Sequence, residues 1–273
     1  MTDFRPNGMV TLTTDFGDQD GYVGAMKGVI LSIDAGINMV DVAHGIAPQN
    51  IVHATGVVAE SAPFFPVGTV HLVVVDPGVG SARAAVVAHI GAHLYVGADN
   101  GLFPAVAQRL RAAITAWHIE PNGPGSAWLP ERISHTFHGR DLFAPVAAAL
   151  ATGQLSVERL GTTSKLLVPE TRGPVIADGH VTGRIVTFDR FGNAITNIAE
   201  EHLTGAGPFT VQVGETDRLP LVETYASVDQ GSIAALVGSS GRVEIAVREG
   251  SARRALGLKV GLTVVAVPNI PEP

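Results

Sequence analysis

The 273-residue sequence predicts two domains: an α/β domain with a Rossmann-like sheet and flanking helices to about residue 170, and a smaller all-β domain over residues 178–273. Three observations carry this division. Strand-like apolar runs alternate with helical periodicity in the first part. Two of those runs end in an aspartate with glycine close behind, as expected at the carboxyl ends of strands in an open α/β sheet. Between Val168 and Gly179 the texture then changes: Pro169, Gly173 and Pro174 break any periodicity, and only short β-rich runs follow.

Met9 to Thr13 is a short β-rich run that ends in Thr14-Asp15-Phe16-Gly17. From Tyr22 to Ile33, Val23, Met26, Lys27, Ile30 and Ile33 fall near helical spacing, with Asp18 or Asp20 placed to cap the helix. Val40 to Val42 reads as a second strand and Asn50 to Ser61 as a second helix. His71 to Val75 is continuously apolar, the pattern of a strand buried on both faces, and it stops at Asp76-Pro77-Gly78. Asp141 to Ala151 is an alanine-rich helix with Gly153 placed to end it. In the second domain, Val181 to Phe188, Phe209 to Val213, Ile233 to Val237, Arg242 to Val247 and Thr263 to Val267 read as strands of a small barrel or sandwich.

Composition narrows the function. Hydrophobic residues make up 46% and charged residues 16%, which excludes a disordered chain or a coiled coil. The net charge of −7 argues against nucleic acid as a partner, since phosphate contacts need a basic footprint. With no cysteine, disulfides, thiolate catalysis and cysteine-ligated metals are excluded. Met1 to Met9 lacks the apolar core of a secretory signal, and no stretch approaches the length needed to span a bilayer, so a soluble, cytoplasmic protein without membrane partners is expected.

Five clusters concentrate carboxylates and glycines: Thr13-Thr14-Asp15-Phe16-Gly17, Asp76-Pro77-Gly78-Val79-Gly80, Asp99-Asn100-Gly101, Phe137-His138-Gly139-Arg140-Asp141 and Phe191-Gly192-Asn193. Each alone is ordinary turn chemistry, and Asp99-Asn100-Gly101, after the run His93 to Val96, reads as a turn. A carboxylate at a strand end also suits a ribose, because it accepts from both hydroxyls. No phosphate-binding glycine signature is present. The ten histidines show no metal-ligand spacing; His89 and His93 fall across Gly91 in a hairpin, and His44 and His53 read as helix-flanking or surface residues. His138 differs in being followed directly by glycine, arginine and aspartate.

Taken in order, these clusters resemble the SAM hydroxide adenosyltransferase family, the adenosine-forming S-adenosyl-L-methionine (SAM) hydrolases, relatives of the bacterial fluorinase and chlorinase. The resemblance runs from Thr11 to about Val267. It implies an α/β domain, a C-terminal β-barrel, and a homotrimer with the SAM site between neighbouring subunits. It further implies that Asp15 holds the ribose hydroxyls, that Asp20, Asp189 and Ser239 stand near the methionine end, and that Phe191 and Asn193 contact adenine. The hydrolase signature corresponds to Asp76, Arg83 and His138. The fluorinase has tyrosine where this chain has Asp76 and a halide-binding serine where it has Gly139, and both departures favour water over halide. Tyr22 replaces a methionine-contacting serine of the fluorinase.

The resemblance implies attack of water on C5′ of SAM, with methionine leaving as a neutral thioether and adenosine as the other product. Asp76 and His138 would orient the water and accept its proton, while Arg83 would pair with Asp76 and favour hydroxide through its charge. The bland alternative is an Arg83–Asp76 ion pair that only braces its loop. No cofactor or metal is required. Three other functions are weighed against this one: SAM halogenation, a SAM- or adenosine-binding sensor without turnover, and a divalent-metal hydrolase built from Asp15, Asp20, Asp76 and Asp99.

Overall fold

The computed structural model describes residues 4–169, 173–204, 208–216 and 218–269; the first three residues of the Met1–Met9 stretch lie outside them. The chain forms two compact units, Met1–Glu170 and Thr171–Pro273. Among the described residues no helix is long and apolar enough to cross a membrane.

The first unit follows the order β1 (Met9–Thr14), α1 (Tyr22–Ile33), β2 (Asn38–Ala43), α2 (Ile51–Ser61), β3 (Val70–Val74), β4 (Ala85–Ile90), β5 (His93–Ala98), α3 (Leu102–Leu110), β6 (Ile114–His118) and α4 (Ala144–Ala151). Its six-stranded sheet has the order β2-β1-β3-β5-β4-β6. Neighbours β2, β1, β3 and β5 pair in parallel, whereas β4 runs antiparallel to both β5 and β6, so the sheet is mixed. The hairpin expected across Gly91 is the β4–β5 turn, with Ile90 opposite His93.

The apolar run of β3 has a direct cause. Val70, Leu72 and Val74 enter a core shared with α1 and α4 through Met26, Ile30 and Ala147, while Val73 and Val75 enter a second core with α2 and α3 through Val58, Phe103 and Val106. Side chains alternate across a strand, so a strand covered on both faces is apolar at nearly every position; the exception in β3 is His71, buried and bonded to Thr11. Helix α1 starts where its periodicity places it, but neither Asp18 nor Asp20 caps it: the N-cap is Gly21, with no side-chain bond. Asn50 does cap α2, accepting from the His53 amide at 2.9 Å. The alanine-rich segment divides into a π-helical turn, Gly139–Phe143, and α4, after which Gly153 adopts φ +72°.

The second unit contains β7 (Val175–Ala177), β8 (His180–Phe188), β9 (Ala194–Ala199), β10 (Phe209–Val213), β11 (Leu219–Val222), β12 (Ile233–Val237), β13 (Arg242–Val247), the short helix α5 (Ala252–Ala255) and β14 (Thr263–Pro268). Seven strands in the order β14-β10-β11-β12-β13-β9-β8 close into a barrel through the β14–β8 pair, and β7 adds to β8 outside the ring. Strand β8 makes closure possible. Val181 to Arg184 pairs with β14, Ile185 to Phe188 pairs with β9, and the register shifts between Ile185 and Thr187. Such a shift sharpens the local bend. Alternate residues Val211, Val213, Val243, Ile245 and Val264 fill the interior.

Candidate functional site

Strands β1 and β3 lie side by side with Thr14 opposite Val74, so the turns that follow them open at the same end of the sheet. A cavity of about 290 Å³ occupies that end; Asp15, Phe16, Asp76, Val79, Phe137 and His138 are among its lining residues.

After Asp76 the chain turns back through Gly78 and Ser81, whose hydroxyl donates to the Gly78 carbonyl at 2.6 Å and accepts from the Arg83 amide at 3.2 Å. This returns the Arg83 side chain to Asp76. Its Nε donates to Oδ1 and Oδ2, both at 3.0 Å, and its Nη2 donates to Oδ2 and to His138 Nδ1, the latter at 2.6 Å. The two side chains are 5% (Asp76) and 10% (Arg83) exposed, which places an ion pair in largely desolvated surroundings. The guanidinium carbon lies 5.3 Å from the centre of the Phe143 ring, which also meets His138 edge-on. Gly80, at φ +79°, lets the loop pass His135: a Cβ there would stand 2.7 Å from the His135 carbonyl oxygen.

The tautomer of His138 follows from this contact. A guanidinium has donors only, so Nδ1 must be the acceptor and the proton of the neutral ring sits on Nε2. Burial, and then the charge of Arg83, hold His138 below the ordinary imidazole pKa. His138 stands at the entrance to the π-helical turn, a local irregularity of the kind found at functional sites. The turn is braced by Asp141, which accepts from Arg140 Nε at 2.6 Å, from Arg140 Nη2 at 2.9 Å and from the Ser134 amide at 2.8 Å. The Arg140 bond, opposed by burial, holds the Asp141 carboxyl below its usual range.

Asp15 Oδ2 accepts from the Gln49 amide at 2.7 Å. Gln49 has φ +62°, an uncommon conformation for a non-glycine residue that aims this amide at the site. Beneath Asp15, Thr14 Oγ1 is 2.9 Å from His44 Nδ1, His44 Nε2 is 3.0 Å from Asp41, and Lys27 pairs with Asp41 at 2.6 Å. His44 is therefore tied into the support of this turn rather than standing free on the surface. Asp20 is exposed ahead of α1 and is not among the cavity residues. Asp99 accepts from the Leu167 amide at 2.9 Å, and Asn100 donates to the Val75 carbonyl at 2.8 Å. That cluster is turn architecture that secures the end of β3.

In the barrel unit, the β8–β9 turn carries Asp189, Phe191 and Asn193. Asp189 accepts from the Asn193 amide at 2.8 Å and from Asn193 Nδ2 at 2.9 Å, so the two side chains hold each other. Phe191 is 75% exposed. Gly192, at φ +89°, sits so close to Ser251 that a Cβ would fall 2.1 Å from its hydroxyl. Ser239 is exposed in the β12–β13 turn. Beside it the sequence reading missed a buried carboxylate, Glu244, which accepts from the Tyr225 hydroxyl. Among the described residues, no three His, Cys, Asp or Glu side chains are grouped so as to hold a metal ion.

Comparison with known proteins places the chain in one family. Residues 10–161 match the SAM hydroxide adenosyltransferase N-terminal domain and residues 183–265 match the C-terminal domain of that family. The chain is 42% identical over 266 residues to an (R)-S-adenosyl-L-methionine hydrolase from Thermus thermophilus, covering 93% of this chain and 98% of that protein. A fluorinase from Actinoplanes sp. matches at 27% identity, covering 94% of this chain and 97% of its own. The crystal structure of an uncharacterized conserved protein from Thermotoga maritima superposes with a TM-score of 0.86 at 34% identity, over 95% of this chain and 99% of that one.

Proposed function

The chain belongs to the SAM hydroxide adenosyltransferase family, and from this we infer that it hydrolyses SAM to adenosine and L-methionine. The observation that carries the reading is the Arg83 guanidinium, which engages Asp76 and His138 together at the wall of a cavity that Asp15 also lines.

In this reaction a water oxygen forms a bond to C5′ while the C5′–S bond breaks, and its electron pair leaves with sulfur as a neutral thioether. The water gives up one proton. Because His138 Nδ1 is occupied by Arg83, its Nε2–H is a donor that orients the water oxygen and not a base. Asp76 is then the group to accept the proton or to hold a hydroxide-like oxygen in place. Asp15 would bind the ribose hydroxyls, and Asp20, Asp189, Phe191, Asn193 and Ser239 the methionine and adenine ends. Desolvation favours the step, since hydroxide character and sulfonium charge neutralise one another. The ion pair is more than a loop brace in this reading, because it also presents His138.

Gly139 supports water over halide. A Cβ at this position would lie 3.1 Å from Val74 Cγ1 and 3.2 Å from Met26 Sδ, so a serine here would need those two side chains to give by a few tenths of an ångström. Incubation with SAM and chloride should give adenosine and methionine; 5′-chloro-5′-deoxyadenosine as the main product would overturn the assignment. A homotrimer with sites between neighbouring subunits, a cytoplasmic location, independence of nucleic acid and membranes, and catalysis without cofactor or metal belong to the same proposal. The exposed Phe191 ring, next to the mutually bound Asp189 and Asn193, is the kind of surface that substrate or a neighbouring subunit would cover.

A further inference from the structure

Three aromatic rings meet beside the cavity. Phe16 and Tyr22 lie 5.4 Å apart, Tyr22 and Phe137 5.2 Å, and Phe16 and Phe137 5.8 Å, with interplanar angles of 44°, 88° and 81°. Phe16 and Phe137 line the cavity itself, and Tyr22, the first residue of α1, is 47% exposed next to them. Apolar burial alone explains the two phenylalanines but not a half-exposed tyrosine that opens α1 and leans on both. One cation already rests on this cluster: the Arg140 guanidinium carbon lies 5.0 Å from the Phe137 centroid.

Aromatic ring faces beside a cavity recognise weakly hydrated cations without a counter-charge. The proposed substrate carries such a cation, its sulfonium. In-line attack also fixes where that cation sits. The water held by Asp76 and His138 must stand on the opposite side of C5′ from sulfur, within a few bond lengths, and Phe16 and Phe137 line the same cavity.

Resting on the SAM reading above, we propose that Phe16, Tyr22 and Phe137 form a cation-selecting face that recognises the positive sulfur, and that Tyr22 determines this selectivity. Sulfonium charge is lost as the C5′–S bond breaks. The face therefore holds the substrate more strongly than the transition state and acts on capture rather than on the chemical step. It also disfavours retention of the neutral thioether product.

The test is calorimetric titration of wild type, Tyr22→Phe, Tyr22→Leu and Phe16→Leu with two unreactive ligands. Sinefungin carries an ammonium group near the sulfonium position, and S-adenosylhomocysteine carries a neutral thioether. Wild type should prefer sinefungin. The preference should survive in Tyr22→Phe and shrink by about tenfold in each leucine variant, the scale of one desolvated cation–π contact. Asp15 and Asp20 remain in all four proteins, so any part of the preference that they supply stays constant. Steady-state SAM hydrolysis should show KM raised in Tyr22→Leu with kcat unchanged or higher. An unaltered ligand ratio in both leucine variants, or a fall in kcat at constant KM, would overturn the proposal while leaving the hydrolase reading intact. Wild type that binds neither ligand and leaves SAM intact would overturn both.

Discussion

Arg83 Nη2 donates to His138 Nδ1 across 2.6 Å, and this one contact decides what the histidine can do. An imidazole that accepts at Nδ1 is neutral and presents Nε2–H to the cavity, so it serves as a donor rather than as a base. Replacement by glutamine separates these roles, because an amide oxygen can accept from Arg83 while the amide nitrogen donates. His138→Gln should retain at least tenfold more kcat than His138→Ala, itself lowered by roughly 10²–10⁴-fold. Equal loss in the two variants, measured by adenosine release, would mean that His138 takes the proton.

The pH profile follows from the same contact. Protonation at Nδ1 would set a cation against the Arg83 guanidinium, and burial further disfavours it. The neutral, active form should therefore persist below the usual imidazole range. The His138 contribution to the acid limb of kcat should lie below about pH 6.5, the unperturbed histidine value, and that contribution alone should be lost in His138→Gln. A His138 contribution above that value in wild type would contradict the assigned tautomer.

Arg83 does the work of three donors, and lysine cannot replace it. A lysine ammonium is a point charge without the planar fork that reaches Asp76 and His138 at once. Arg83→Lys should lower kcat by about 10²–10³-fold, the scale for a lost preorganised donor, with a much smaller change in SAM binding by titration. Arg83→Ala is the less informative variant, because it strands the Asp76 carboxylate in a site where it is only 5% exposed.

Asp141 braces the turn that presents His138. Asp141→Asn keeps an acceptor for the Ser134 amide but loses the charged fork with Arg140. kcat should fall several-fold with KM little changed, and Asp141→Glu should recover part of it. A variant that instead loses SAM affinity at unchanged kcat would show that the turn serves binding and not presentation.

Far from the cavity mouth, at the opposite end of β3, His71 is buried, with Nδ1 2.7 Å from Thr11 Oγ1 and its ring stacked on Tyr95. Burial lowers its pKa to about 3, and His93 beside it is lowered in the same direction. A folded-state pKa below the unfolded one means that unfolding takes up protons. For His71 this contribution is intact above about pH 6.5 and is lost as pH falls toward the folded value, at about 1.4 kcal/mol per pH unit. Urea unfolding between pH 6.5 and pH 4 should show that slope, reduced by about one proton's worth in His71→Phe. An unchanged slope in the variant would mean that other groups control acid unfolding.

The parts of the fold legible in the sequence are those where one pattern had one cause. β3 is apolar apart from the buried His71 because both its faces are covered, and β10, β12 and β13 are short runs bounded by turn residues. β9 is obscured because Thr196 and Asn197 interrupt it: Thr196 is buried and bonds to the Val243 carbonyl. β11 contains Pro220, which argues against a strand unless the position is permissive. α3 begins on a left-handed Gly101 and carries Pro104 as its third residue, so its start does not signal a helix. Of the candidate site, the aspartates at strand ends and the motif around His138 are visible in the chain. Which side chains meet is not, because Arg83 and His138 are 55 residues apart and Asp15 and Gln49 are 34 apart. The aromatic face was hidden for the same reason, since Tyr22 reads as an ordinary helical residue until Phe137 is placed against it.

The most direct measurement is mass analysis of the products after incubating the protein with SAM in oxygen-18 water. Attack by water held at Asp76 and His138 predicts adenosine carrying the heavy oxygen at its 5′ position, together with unlabelled methionine. Adenosine without the label would mean that its new 5′ oxygen came from a group other than solvent water. Unchanged SAM beside a positive binding control would contradict hydrolysis and reduce the Asp76, Arg83 and His138 set to loop architecture.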